Sequence, residues 1–141
     1  MTLKRPKGPA GRLVVLPHTS NVLKGNPLGD PHARNVGVWL PPQYDEGEKR
    51  RFPVLYDLVG FTGSGQSHTN WKPFGDNVPE RAARLIREGR MGPVIIVFPD
   101  CFTALGGNQY VNSPAIGNYA DYLTREVIPF VDRQFRTLAS R

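Results

Sequence analysis

The sequence predicts an α/β domain of three layers, with helices on both faces of a β-sheet. Two apolar runs, 53–59 and 93–99, are separated by one amphipathic helical segment. Nearly continuous apolar runs are typical of strands that are covered on both faces, so we expect a βαβ unit with two buried strands. A glycine-containing loop, 60–71, leaves the first of these strands. Because ligands bind beyond the carboxyl ends of such strands, this loop is the first candidate for a site.

Length and composition favour one globular domain without a nucleic-acid or membrane partner. The chain has 141 residues, a net charge of +6 and one cysteine. Its basic residues are dispersed and are not interleaved with aromatic residues, unlike an RNA-binding surface. Residues 1–11 predict a flexible lead-in, and the apolar run 13–16 is too short for a signal segment or a membrane span. We expect a cytoplasmic protein, although an exported parent protein stays open.

The first elements predict an antiparallel hairpin. Residues 12–23 have strand character, interrupted by Pro17, and residues 34–40 place Val36, Val38 and Leu40 on one face. The segment between them is rich in turn-forming residues. The two runs therefore predict neighbouring strands joined by a long loop.

Two helices are predicted after the hairpin. The first, 78–88, begins with an Asn77–Glu80 capping box and carries an apolar stripe. The second, 116–135, has apolar residues at every fourth position, and Pro129 should kink it or split it in two. With strands 53–59 and 93–99 as the third and fourth, the expected sheet order is 1-2-4-3. Right-handed crossovers then place the two helices on opposite faces.

Several segments resemble the putative esterase family of α/β-hydrolases, which includes S-formylglutathione hydrolases, feruloyl and enterochelin esterases and mycolyltransferases. The matching segments are VGVWLPPQY at 36–44, FPVLYDLVG at 52–60, Trp71, GPVIIVFPD at 92–100, and YVNSPAIGNYADYLTREVIPFVDRQFRT at 110–137. The last is the most specific, because its Tyr, Leu, Glu and Pro-aromatic spacing is not typical of a generic helix. The resemblance implies hydrolysis of a small-molecule carboxylic ester or thioester by a Ser-His-Asp mechanism.

The resemblance also implies that the fold is incomplete. In the family the next strand leads to a G-x-S-x-G elbow that bears the nucleophilic serine, and the acid and histidine follow later. We therefore expect 12–141 to be the N-terminal half of one α/β-hydrolase domain, without a triad residue and inactive alone. Two alternatives stay open, a non-catalytic binding or scaffold module and one part of a split enzyme that a second chain completes.

One functional group can be carried over from the family, the backbone donor of an oxyanion hole. In α/β-hydrolases one donor comes from the loop after this strand, which corresponds to the N–H of Phe61, with Gly60 allowing a sharp turn. The alternative is that these glycines serve only the turn. Many relatives have His or Asp before that glycine, whereas this chain has Val59.

Three further residues are candidates for a pocket. Asp57 interrupts an apolar strand, so it either accepts hydrogen bonds from loop N–H groups or serves a pocket. Asp100 follows the next strand and is expected to cap its loop. Trp71 either lines a pocket or covers the core.

The remaining nucleophiles and imidazoles are weaker candidates. Neither Ser64 nor Ser67 fits the elbow pattern, and no acid is placed in the sequence to orient His68. Cys101 has no predictable activating neighbour. We expect no metal ion and no cofactor, because the histidines lack metal-ligand spacing.

The last expectation concerns association. If no strand follows, strand 53–59 is a bare apolar edge that favours self-association.

Overall fold

The computed structural model describes residues 10–140, so the lead-in predicted for 1–11 lies almost wholly outside the described residues. Its main sheet contains β1 (Arg12–Thr19), β2 (Ala33–Leu40), β3 (Val54–Tyr56) and β4 (Ile95–Pro99) in the order β1-β2-β4-β3. The β3–β4 pair is parallel and the other two pairs are antiparallel. The predicted α/β class and the sheet order 1-2-4-3 are confirmed.

Helices cover both faces of this sheet, as predicted. Helix α1 (Val78–Arg87) packs its Ala82 and Ala83 against Trp39, Ile96 and Phe98. Its N-terminus carries the predicted capping box, in which the Asn77 side chain accepts from the Glu80 N–H and the Glu80 carboxylate accepts from the Asn77 N–H.

The opposite face packs against the last helical segment, which is built in three parts. They are α2 (Tyr119–Asp121), a π-helical stretch (Tyr122–Val127) and α3 (Ile128–Gln134). Pro129 lies in the first turn of α3, where its missing N–H is tolerated. The Ile128 N–H donates to the carbonyl of Leu123, five residues back, as in a π turn. Pro129 therefore splits the predicted 116–135 helix, which begins at Tyr119.

The strand predicted over 12–23 is shorter in the structure and ends at Thr19. The reason lies in the helical segment, because the Glu126 carboxylate accepts hydrogen bonds from the N–H groups of Asn21 and Val22 at 2.8 and 3.1 Å. These two donors are therefore not available to a strand ladder. A short second hairpin, β5 (Asn112–Ser113) with β6 (Gly117–Asn118), precedes α2.

The third strand is also shorter than its prediction, 53–59, and stops at Tyr56. The ladder runs from the Ile95 N–H to the Pro53 carbonyl at 3.0 Å and from the Asp57 N–H to the Val97 carbonyl at 2.8 Å. The next bond in this series needs an N–H at position 99, and Pro99 has none. The sequence of the partner strand thus ends the pairing.

The two parallel strands differ in burial. All five residues of β4 are buried, but Leu55 in β3 is 51% exposed. The prediction of two buried strands is confirmed for β4 and wrong for β3, because β3 lies at the edge of the described sheet.

None of the helices among residues 10–140 combines the length and apolarity needed to cross a bilayer.

Candidate functional site

Two loops meet beyond the carboxyl ends of β3 and β4. The Tyr110 hydroxyl donates to the Val59 carbonyl at 2.6 Å, and the Gly107 N–H donates to the Phe61 carbonyl. A Cβ at position 107 would collide with that carbonyl, so glycine is needed for the close approach. The 60–71 and 100–115 loops therefore form one surface, the carboxyl edge of the sheet.

A shallow cleft of about 290 Å³ lies on this surface. Gly65 brings the first loop against β4, since a Cβ there would collide with the Pro99 carbonyl. The cleft is lined by Asn35, Ser64, Gln66, Asp100 and Phe102.

Asp57 and His68 form a pair on the first loop. The Asp57 Oδ2 lies 2.6 Å from the His68 Nδ1, and the two side chains are 18% and 41% exposed. The expected hydrogen bonds from loop N–H groups to Asp57 are replaced by this imidazole. The inference that no acid orients His68 is wrong, because the loop folds back across eleven positions. With Nδ1 engaged by the carboxylate, Nε2 is the ring nitrogen left for another partner.

Asp100 has a different partner. Its Oδ1 accepts from the Phe102 N–H at 3.0 Å, which confirms the predicted loop cap, and its Oδ2 lies 3.4 Å from Arg34 Nη1. Arg34, whose side chain is 5% exposed, also donates to the Phe102 carbonyl at 2.7 Å and to the Tyr119 hydroxyl at 3.0 Å. This network ties β2, the 100–115 loop and α2 together.

The predicted oxyanion donor lies in the turn that follows β3. The Gly63 N–H donates to the Gly60 carbonyl at 2.9 Å and closes this turn. The Phe61 N–H makes no hydrogen bond to another residue within 10–140. Gly60 has open space where a Cβ would stand, so neither crowding nor a positive φ requires glycine there within the described chain.

The other candidates are placed as follows. Trp71 is 41% exposed, so it does not cover the core as one of its two interpretations held. The Ser67 hydroxyl donates to the Ser64 carbonyl at 2.7 Å. Cys101 is buried, and burial together with the nearby Asp100 carboxylate raises the pKa of its thiol to about 12. The Arg34 charge acts in the opposite direction and lowers this pKa, but it is the smaller effect. Residues 10–140 bring together no three His, Cys, Asp or Glu side chains that would hold a metal ion.

The carboxyl edge also carries most of the exposed apolar side chains. Among residues 10–140, eleven large hydrophobic residues are exposed, and seven of them belong to these two loops and their flanks. They are Leu58, Phe61, Trp71, Phe74, Phe102, Leu105 and Val111. Where such side chains form one contiguous patch, they favour a ligand or protein contact.

Sequence reasoning missed two structural side chains. Arg34 stands in a strand at a position between exposed neighbours, and nothing in its sequence context distinguishes it from a surface arginine. Glu126 was noted only as part of the most specific segment, and the structure gives its role. Its carboxylate holds the Ser20 hydroxyl and the two N–H groups after it.

The chain was also compared with solved structures. A ferulic acid esterase superposes with a TM-score of 0.74 at 23% identity, over 92% of this chain and 45% of that one. A CE1 ferulic acid esterase from Anaeromyces mucronatus in complex with ferulic acid superposes with a TM-score of 0.66 at 21% identity, over 96% of this chain and 47% of that one. An S-formylglutathione hydrolase from Agrobacterium tumefaciens superposes with a TM-score of 0.57 at 17% identity, over 97% of this chain and 48% of that one. The chain thus spans less than half the length of these structures, which share its fold.

A family model extends this likeness to the sequence. The model of the putative esterase family matches residues 31–141, which include both parallel strands, the two loops and all three helices. The chain belongs to the putative esterase family.

Proposed function

We propose that this chain supplies the oxyanion-donor half of a serine esterase, which hydrolyses a small-molecule carboxylic ester or thioester. The observation that carries the proposal is the Phe61 N–H, which follows β3 at the carboxyl edge and has no partner within residues 10–140. Such a donor, aimed at a developing oxyanion, is what acyl transfer requires. Family membership and the ferulic acid bound to a structural relative support an ester substrate.

In this proposal the nucleophile, its acid and its histidine lie outside the 141 residues. Neither serine of the 60–71 loop has the strand-turn-helix context of a nucleophile elbow, and Ser67 is engaged by the Ser64 carbonyl. The family's share of the site here is therefore a backbone donor and the surface around it.

The test is an esterase assay with and without a serine-reactive fluorophosphonate. We expect no saturable, fluorophosphonate-sensitive hydrolysis of p-nitrophenyl acetate by the 141-residue chain. We expect such hydrolysis from the protein encoded by a reading frame that extends beyond Arg141, with a G-x-S-x-G within about fifteen codons of that residue. Sensitive turnover by the 141-residue chain itself contradicts the proposal, as does a longer frame without this motif.

A second proposal concerns the outer edge of β3, where we infer self-association of the 141-residue chain. A groove of about 540 Å³ runs between β3 and α3, with Val54, Tyr56 and Ile128 among its lining residues. Thr137 already forms a parallel bridge with Phe52 at one end of this edge, which supports pairing of a further strand along the rest.

Sedimentation velocity at micromolar concentration tests the association. We expect oligomers of the unmodified chain and a larger monomer fraction for Leu55→Lys, since a charge on an edge strand opposes pairing. Leu13→Lys, on the opposite edge strand β1, is the matched control, because Pro17 already weakens that edge. A sharp monomer peak for the unmodified chain would exclude this interface.

A further inference from the structure

The Asp57–His68 pair has the chemistry of an acyl-transfer centre in its own right. The carboxylate contacts Nδ1 at 2.6 Å, which favours the tautomer with its proton on Nδ1 and leaves the lone pair on Nε2. The His68 side chain is 41% exposed, so a ligand can reach it. Neutral imidazole held by an acid is a nucleophile for activated carbonyl groups.

The other two histidines differ in these respects. His18 is 13% exposed, and its Nε2 lies 3.5 Å from the Glu126 carboxylate, so no free, acid-oriented nitrogen is presented. His32 is half-buried, its carbonyl accepts from the Ser20 N–H at 2.8 Å, and its side chain has no hydrogen bond or ion pair with another residue of 10–140. Only His68 among the three combines an orienting acid with an exposed ring.

The loop that carries His68 also carries two exposed aromatic side chains, which favours an aromatic ester. Phe61 and Trp71, on the same loop, are 54% and 41% exposed. An aryl ring gains contact area and favourable stacking geometry on such side chains. An aryloxide is also a better leaving group than an alkoxide, which suits an imidazole whose partner within residues 10–140 is the Asp57 carboxylate.

We propose that His68, oriented by Asp57, hydrolyses aryl esters without a serine. The Nε2 lone pair forms a bond to the acyl carbon, and the C–O bond breaks as the aryloxide leaves with its electron pair. The resulting acyl-imidazolium shares its Nδ1 proton with the Asp57 carboxylate. Water then adds to the acyl carbon, and the C–N bond breaks with its electron pair returning to Nε2. The carboxylic acid leaves with one proton of the water, and the other proton passes through Nε2 to solvent or to the aryloxide, which restores the neutral imidazole.

The centre is independent of the proposed serine mechanism, and one assay separates the two. The 141-residue chain is given p-nitrophenyl acetate in the presence of the fluorophosphonate, and release of p-nitrophenolate is followed. We expect resistant turnover that falls by about 10²-fold in His68→Gln, the lower end of what a positioned proton-transfer group contributes. The rate of Asp57→Asn should lie between those of the unmodified chain and His68→Gln, and the rate of His32→Gln should equal that of the unmodified chain.

Three results would overturn the proposal: no turnover above buffer, turnover abolished by the fluorophosphonate, or an unchanged rate in His68→Gln. Circular dichroism of each variant checks its fold. If His68→Gln fails to fold, the unmodified chain still provides a test through brief treatment with diethylpyrocarbonate and peptide mass spectrometry. Faster carbethoxylation of His68 than of His32 supports the proposal, and equal rates contradict it.

Discussion

Asp57 and Asp100 each follow directly on a strand of the parallel pair, yet their surroundings are opposite. Asp100 meets Arg34, which is 5% exposed and donates to two groups of the 100–115 loop and one of α2. Asp57 meets His68, which is 41% exposed and has one ring nitrogen free of protein partners within residues 10–140. The first acid holds the fold together, and the second presents a reactive group to solvent.

This difference follows from the positions of the two strands. The central strand β4 has neighbours on both sides, so the partner of Asp100 comes from the neighbouring strand β2, and this buried arginine must be paired. The edge strand β3 has one neighbour in the described sheet, and the partner of Asp57 comes from the exposed loop that follows. The acids themselves do not differ in this sense, since Asp57 is 18% and Asp100 30% exposed. The same residue type at equivalent positions thus serves stability in one place and chemistry in the other.

The largest expected effect comes from removing the buried cation. Arg34→Met removes the donor to the Asp100 Oδ2, the Phe102 carbonyl and the Tyr119 hydroxyl. Arg34 is buried and donates three hydrogen bonds, and hydrogen bonds to charged groups contribute about 1.5–3 kcal/mol each, so we expect a loss of about 3 kcal/mol or more in the free energy of unfolding. Urea denaturation measures it.

The matched control is an exposed pair of the same types. Arg12 contacts Asp45 at 3.0 Å with both side chains more than half exposed, and Arg12→Met should cost about 1 kcal/mol at most. Equal losses in the two variants would show that Arg34 is not a structural centre.

A third acid provides the next effect. Glu126→Gln keeps the shape but removes the charge that holds the Ser20 hydroxyl and the Asn21 and Val22 N–H groups. Hydrogen bonds to charged groups contribute about 1.5–3 kcal/mol, so we expect a loss in that range at neutral pH by urea denaturation. Glu48→Gln, an exposed carboxylate, should leave stability unchanged.

The loss should also depend on pH. Burial raises the pKa of Glu126, but the hydrogen bonds from Ser20, Val22 and Asn21 outweigh it, so the folded-state pKa is lower than usual. A carboxyl whose pKa is lowered by folding contributes stability above its unfolded pKa and loses it as the pH falls through the folded pKa. The difference in the free energy of unfolding between the unmodified chain and Glu126→Gln should therefore become smaller as the pH falls. A difference that stays constant with pH would exclude this linkage.

The exposed pair should contribute little to stability. His68→Gln is expected to change the free energy of unfolding by about 1 kcal/mol or less, because the imidazole is 41% exposed and polar contacts of exposed side chains contribute little. Urea denaturation of His68→Gln beside Arg34→Met measures the contrast directly. A loss of the same size in both variants would make the Asp57–His68 pair a second structural anchor.

The order of the elements could be predicted from the sequence because each depends on local chemistry. The α1 capping box, Pro129 and the apolar run of β4 act within a few residues of themselves. The partners of the acids could not be predicted, because Arg34 lies 66 positions from Asp100 and Glu126 lies 106 positions from Ser20. The end of β3 was missed for the same reason, since Pro99 of the neighbouring strand decides it.

The smallest expected effect is on the labelling of Cys101, whose thiol is a local probe of the structure around Asp100. The thiol is buried and its pKa is raised to about 12, so iodoacetamide should not label it in the folded chain at pH 8. Mass spectrometry of the intact chain measures the reaction.

Labelling of Cys101 in Arg34→Met then tests whether Asp100 and Asp57 have different roles. The Arg34 charge lowers the pKa of Cys101, so its removal alone would make the thiolate scarcer and the reaction slower. Faster labelling in this variant therefore reports opening of the structure around Asp100 and not a change in thiol acidity. His68→Gln, whose pair lies on the exposed loop, should leave the labelling rate at the level of the unmodified chain. Labelling that rises equally in both variants would mean that the two acids stabilise one common unit, against the division of roles inferred from the burial of their partners, Arg34 and His68.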